Sequence, residues 1–164
     1  MVILGIDPGL ATIGYGVIET AGEKQRMIAF GVVTTPAKMP VPLRLKNIFH
    51  DINGLLDTYK PDDVALEELF FTKNITTGIN VAQARGAILA AIAMRTDNLY
   101  EYTPNQIKQA VTGYGGADKH QMQQMVKLLL NMPDIARPDD AADALAVALT
   151  HAAGMKMKQN FRIM

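Results

Sequence analysis

Near its start the chain carries a short continuous apolar run, Val2 to Ile6, that stops at Asp7-Pro8-Gly9. An apolar stretch of this length, bounded by turn residues, reads as a strand covered on both faces. Pro8 keeps Asp7 extended, so a carboxylate sits at the very end of a buried strand. Burying an unpartnered carboxylate is costly. Either Asp-Pro-Gly serves only as a good turn, or the acid is held there for chemistry.

The rest of the chain supplies the layers that would cover such a strand. Gly14 to Thr20 and Met27 to Thr35 read as two more strands, joined by a hairpin connection over Ala21 to Arg26, which makes a meander. Pro36, Pro40 and Pro42 mark a loop. Leu45, Ile48, Phe49, Ile52, Leu55, Leu56 and Tyr59 then recur at helical spacing until Lys60-Pro61. Val64 to Glu68 is a fourth strand, entered from a helix and so expected parallel to the first. A loop over 70–77, an Ala- and Gly-rich helix over 78–94 and a strand at Leu99 to Tyr102 follow. Helices are expected over about 104–112, 118–131 and 139–153, with Gly113 to Ala117 as a flexible link. This order predicts an α/β fold, ribonuclease-H-like, with a five-stranded mixed sheet flanked by helices. Its 164 residues make one domain, 1–164, with a tail from about 154 read as mobile.

Composition removes whole classes of chemistry. Without Cys there is no disulfide framework, thiolate zinc site, iron–sulfur cluster or cysteine nucleophile. There is no Ser, and His50, His120 and His151 show no metal-ligand spacing to one another. The first residues lack the pattern of a signal peptide and no apolar stretch is long enough to span a bilayer, so a cytoplasmic protein with no membrane partner is expected. Net charge is zero, yet residues 1–68 hold six Lys and Arg against nine Asp and Glu, and residues 69–132 hold six against three. An acidic first part before a basic middle fits a metal site beside a phosphate track.

The remaining acids sharpen that reading. Glu67 and Glu68 end the fourth strand on opposite faces, and alternation alone does not say which points inward. In RPDDAADALAVALTH, Asp139 is accounted for as an acid that caps a helix N-terminus. Asp140 and Asp143 share one helix face, and Asp143 precedes a long apolar stretch. Carboxylates that converge without cations raise one another's pKa. A divalent metal resolves the conflict, and oxygen-only ligands suit Mg²⁺ or Mn²⁺. Two such ions can clamp the attacking and leaving oxygens of a phosphodiester while water is the nucleophile.

Five stretches occur in a telling order: GIDPG (5–9) with GYGV (14–17), ALEELFFTKN (65–74), AQARG (82–86), QIKQAVTGYGGADKHQMQQMV (106–126) and DDAADALAVALTH (139–151). In these stretches and their order the chain resembles the bacterial Holliday-junction resolvases of the RuvC type. The resemblance implies that Asp7, Glu67, Asp140 and Asp143 are the catalytic acids holding two Mg²⁺, which chooses Glu67 over Glu68 and Asp140 over Asp139. It places Lys108 and Lys119 on the DNA-binding surface, with Lys119 also neutralising the reacting phosphate. It puts Phe70 at the strand-exchange point, where it would stack on an unpaired base; Phe71 is expected in the core. The implied activity is structure-selective, Mg²⁺-dependent endonuclease cutting of four-way DNA junctions in recombination and repair. Paired symmetric nicks would come from a homodimer working beside branch-migration proteins, and the small residues of the 78–94 helix fit a dimer contact and a buried single-chain core equally well. Departures are small: Ile13 stands where the family often has Thr, and the tail after His151 is short. Three rivals remain at this stage: a related nuclease that trims ribosomal RNA precursors, an actin-like phosphate-binding domain, and a non-catalytic junction binder.

Overall fold

The computed structural model describes residues 1–69 and 75–163. β1 (Val2–Asp7), β2 (Thr12–Ala21) and β3 (Lys24–Thr34) form the antiparallel meander. Its second turn is tight because Gly22 adopts φ +64°, which a side chain would resist. α1 (Val41–Tyr59) follows, then β4 (Asp63–Glu67), α2 (Ile75–Ala93) and β5 (Leu99–Tyr102). α3 (Pro104–Thr112), α4 (Lys119–Leu129), α5 (Asp139–Ala153) and a 3₁₀ segment, Met155–Phe161, complete the chain. The sheet order is β3-β2-β1-β4-β5, with β4 parallel to β1 and β5 parallel to β4. This is the five-stranded mixed sheet that the element order predicts. α1 begins earlier than expected because Pro42 lies in its first turn, where no N–H is required.

β1 is covered on both faces, as its apolar run demands. Leu4 and Ile6 pack with Val64 and Leu66 under Ile48 and Ile52 of α1 and Ile88 and Ile92 of α2. Ile3, with Ala65, Tyr100 and Tyr102, faces Ile107, Val126, Leu145 and Leu149 of the three later helices. Alternation then puts Asp7 on the face of Ile3 and Gly5, and Glu67 on the face of Ala65. Both acids therefore point to the layer that contains α5.

α5 lies directly on the strands. A Cβ added at Gly5 would stand 2.1 Å from the Ala144 carbonyl oxygen, and one at Gly14 would stand 1.9 Å from that of Asp140. Gly16, opposite Gly5 in the β1–β2 ladder, would put a Cβ 2.7 Å from the Leu145 nitrogen. Only missing side chains let the helix backbone come this close. The far end of α5 is held by a polar tie. Fully buried His151 hydrogen-bonds through Nε2 to Asp63 Oδ2 at 2.9 Å and through Nδ1 to the Tyr102 hydroxyl at 2.8 Å. The tail folds back: Phe161 packs on Tyr102 and the Ile163 N–H donates to the Leu99 carbonyl at 2.9 Å. Among the described residues no helix is long and apolar enough to cross a membrane.

The close approach has a measurable consequence. Gly5→Ala forces a methyl against helix backbone that cannot yield, so it should destabilise the protein by roughly 3 kcal/mol or more. A thermal melt should show the midpoint falling by about 6–12 °C. An unchanged midpoint would mean that α5 does not rest on the strand.

Candidate active site

Each acid in the site owes its place to one element end. Asp7 terminates β1 and Glu67 terminates β4, and these strands are parallel neighbours in register at Ile6 and Leu66. Asp140 lies in the first turn of α5 and Asp143 one turn later. The Gly14 contact sets that helix end over β2, and Gly14 pairs with Asp7 across the ladder. The two lysines arrive from the other helices of the same layer. Lys108 is on α3, and Lys119 is the first residue of α4. Glu67, Lys108, Lys119 and Asp143 line one cleft of about 220 Å³, floored by Pro104, Ile107, Met122 and Ala146.

The electrostatics show that these groups share one site. Burial, then the charges of Glu67, Asp143 and Asp140, pushes Asp7 up to about 8, and Lys119 only partly opposes this. Burial and Asp143 push Glu67 up to about 7, against the pull of Lys108 and Lys119. Asp143 is raised by burial, with Lys119 drawing it back. Burial lowers the Lys119 ammonium, but Asp143 and Asp139 outweigh it and leave its pKa raised. The sequence-predicted acids thus converge, and Glu67 rather than Glu68 faces them.

Asp139 requires a correction. It does not cap α5: the N-cap residue is Pro138 and no side chain caps the helix. Its carboxylate instead accepts hydrogen bonds from Arg137 Nη1 at 2.7 Å and Gln123 Nε2 at 2.9 Å, and pairs with Lys119 Nζ at 3.2 Å. The hydrogen bonds from Lys119 and then Gln123 hold it below the usual carboxylate range. Lys119 Nζ is also 3.5 Å from Asp143, so one ammonium spans both acids. Lys119 is 55% exposed, and ion pairs in such settings contribute about 0–1 kcal/mol. That ammonium is easily given up to a stronger ligand.

The donor set fits a hard divalent cation. Every acid offers oxygen, negative charge is in surplus, and its cost appears in the raised carboxyls of Asp7 and Glu67. Among the described residues no three such groups already close on a single point. Phe70, the expected DNA-stacking residue, and Phe71 lie outside the described residues.

Sequence reasoning did not foresee the two capping boxes that anchor the lysine-bearing helices. The Thr103 hydroxyl accepts from the Gln106 N–H at 3.2 Å, while Gln106 Oε1 accepts from the Thr103 N–H at 2.8 Å. Asp118 and Gln121 repeat the exchange at 2.8 and 2.9 Å at the start of α4. Each box is worth about 1 kcal/mol. The signal was present as T-x-x-Q and D-x-x-Q.

Comparison with known proteins agrees with this geometry. The sequence profile of the family "Crossover junction endodeoxyribonuclease RuvC" matches residues 3–151. The crossover junction endodeoxyribonuclease RuvC of Brevibacillus brevis is 54% identical over 152 residues, covering 93% of this chain and 92% of the relative. That of Alkaliphilus metalliredigens is 49% identical over 163 residues and covers 99% of each. The structure of Thermus thermophilus RuvC in complex with Holliday junction substrate superposes with a TM-score of 0.93 at 36% identity, covering 100% of this chain and 99% of that one.

The raised acids give a pH dependence whose sign is determined. Between the ordinary values of 3.8 and 4.5 and the raised values of about 8 and 7, folded Asp7 and Glu67 hold protons that the unfolded chain has released. Stability in chelator should therefore be greatest in acid of this window, fall as pH rises, and level off above about 8. Asp7→Asn should flatten the fall. Mg²⁺ binds the deprotonated acids and should restore the stability lost on the alkaline side. Melts across pH, with and without Mg²⁺, check this; a flat wild-type profile would contradict it.

Proposed function

The chain belongs to the RuvC family of crossover junction endodeoxyribonucleases, and from that premise we propose how its residues cut a junction. It is a Holliday-junction resolvase, an enzyme whose substrate is four-way DNA. The rivals drawn from RNA trimming, phosphate binding and inert junction binding fall with that membership.

The reading rests on one observation above all: Asp7, Glu67, Asp140 and Asp143 act on one another's charge beside two lysines. The family's chemistry is metal-dependent, and we assign two Mg²⁺ to Asp7, Glu67, Asp140 and Asp143, with Mn²⁺ suited to the same donors. When bound, such ions lower the pKa of water and favour departure of the leaving oxygen. The chain's own residues do the rest. The four carboxylates would hold the cations that offset the negative charge of the reacting phosphate. Lys119, released from Asp143, neutralises charge growing on the scissile phosphate. Lys108, from α3 in the same cleft, contacts the DNA backbone, a contribution that weakens with salt. Phe70 stacks on an unpaired base at the crossover.

Paired nicks call for two copies, because a two-fold substrate matches a two-fold enzyme. α2 supports this role. Ala84, Ile88, Ala91 and Ile92 pack inward, whereas Ile79, Gln83, Gly86, Ala90 and Ala93 form an exposed stripe with room at Gly86 for close approach. We place the homodimer contact there. Work in the cytoplasm beside branch-migration proteins completes the proposal.

A labelled synthetic junction tests the scheme. Asp7→Asn should lower nicking by on the order of 10³-fold or more while junction affinity in chelator is kept. Lys119→Met should slow nicking of the bound junction by on the order of 10²-fold. Wild-type rates in Asp7→Asn would sink the assignment of the acids.

A further inference from the structure

Arg44 is a buried cation that nothing in the preceding scheme uses. It lies in the first turn of α1, is only 8% exposed, and has no carboxylate within 4.0 Å among the described residues. The undescribed stretch 70–74 contains no acid either. A helix start is the end of the dipole that disfavours positive charge. A neutral residue would be easier to bury there. What the guanidinium achieves is a two-point grip on one residue: Nε donates to Thr35 Oγ1 at 2.8 Å and Nη2 donates to the Thr35 carbonyl at 3.3 Å.

Thr35 passes that grip on. Its hydroxyl donates to the Leu10 carbonyl at 2.5 Å, and its N–H donates to the Ala11 carbonyl at 3.0 Å. Leu10 and Ala11 form the turn between Asp7 and β2. The turn is already tight, since a Cβ at Gly9 would stand 2.2 Å from the Thr12 carbonyl oxygen. We propose that Arg44 and Thr35 are positioning residues for catalysis: they clamp the Pro8–Ala11 turn from behind and so hold the Asp7 carboxylate in place. This rests on the reading of Asp7 as a catalytic acid. A fork is what the role requires, because it fixes the rotamer of Thr35 as well as its place.

The test compares Thr35→Val, Arg44→Gln, the two combined, Thr35→Ser and Asp7→Asn on a labelled four-way junction at saturating enzyme. Thr35→Val and Arg44→Gln should each slow nicking of the bound junction by about 10- to 100-fold, with junction affinity in chelator within about 2-fold of wild type. The combined variant should be no slower than Thr35→Val alone, since both break one relay. Thr35→Ser, which keeps the hydroxyl, should cut at close to the wild-type rate. Arg44→Lys keeps the charge and loses the fork; it should also be slow, and it carries the test if a breaking variant fails to fold. Wild-type nicking by Thr35→Val, or by Arg44→Lys, with Asp7→Asn inactive, overturns the clamp. So do additive losses in the combined variant, or parallel loss of binding and nicking with a lowered melting point. Normal cutting by Asp7→Asn overturns instead the reading of the site beneath it.

Discussion

The whole site depends on helix backbone lying against strand backbone. Where β1 and β2 carry Gly5, Gly14 and Gly16, α5 meets the sheet through Ala144, Ala148 and the main chain of Asp140 and Leu145. Larger residues would push the helix off the strands and carry Asp140 and Asp143 away from the ends of β1 and β4. The contact also dictates composition. α5 is rich in buried Ala on the side that touches the sheet, and the strands below it leave space for its backbone.

This contact creates a conflict that the fold alone does not remove. Apolar packing brings four carboxylates to a partly buried place, and the result is two acids held near neutral pKa. Such local disagreement with good folding is what a functional site looks like. The protein moderates it with weak cations: Lys119 leans on Asp143 while Asp139 and Gln123 keep the far end of that arrangement in place. Because the lysine pairs are exposed, they neutralise the site without closing it to a divalent ion or a phosphate.

Much of this was legible in the chain. The run before Asp7 announced a central strand, and the order of strands and helices announced the sheet. Alternation alone did not say which of Glu67 and Glu68 faces the site, because parity along a strand says nothing until the face covered by α5 is known; only the family resemblance pointed to Glu67. Asp139 misled because an acid at a helix start looks like a cap; its real partners, Gln123 and Lys119, come from α4. His151 looked solitary because Asp63 and Tyr102 are 88 and 49 residues away in the chain. Local signals were readable and long-range ones were not, as expected when tertiary packing decides a side chain's role.

The central claim is that a glycine-bedded helix brings Asp7, Glu67, Asp140 and Asp143 to one hard-cation site. The most direct measurement is anomalous diffraction from crystals soaked in Mn²⁺. The account predicts anomalous peaks within coordination distance of an Asp7 oxygen and of at least one oxygen from Glu67, Asp140 or Asp143, with Lys119 displaced from Asp143. Ions bound elsewhere, with Lys119 still spanning Asp139 and Asp143, would contradict it.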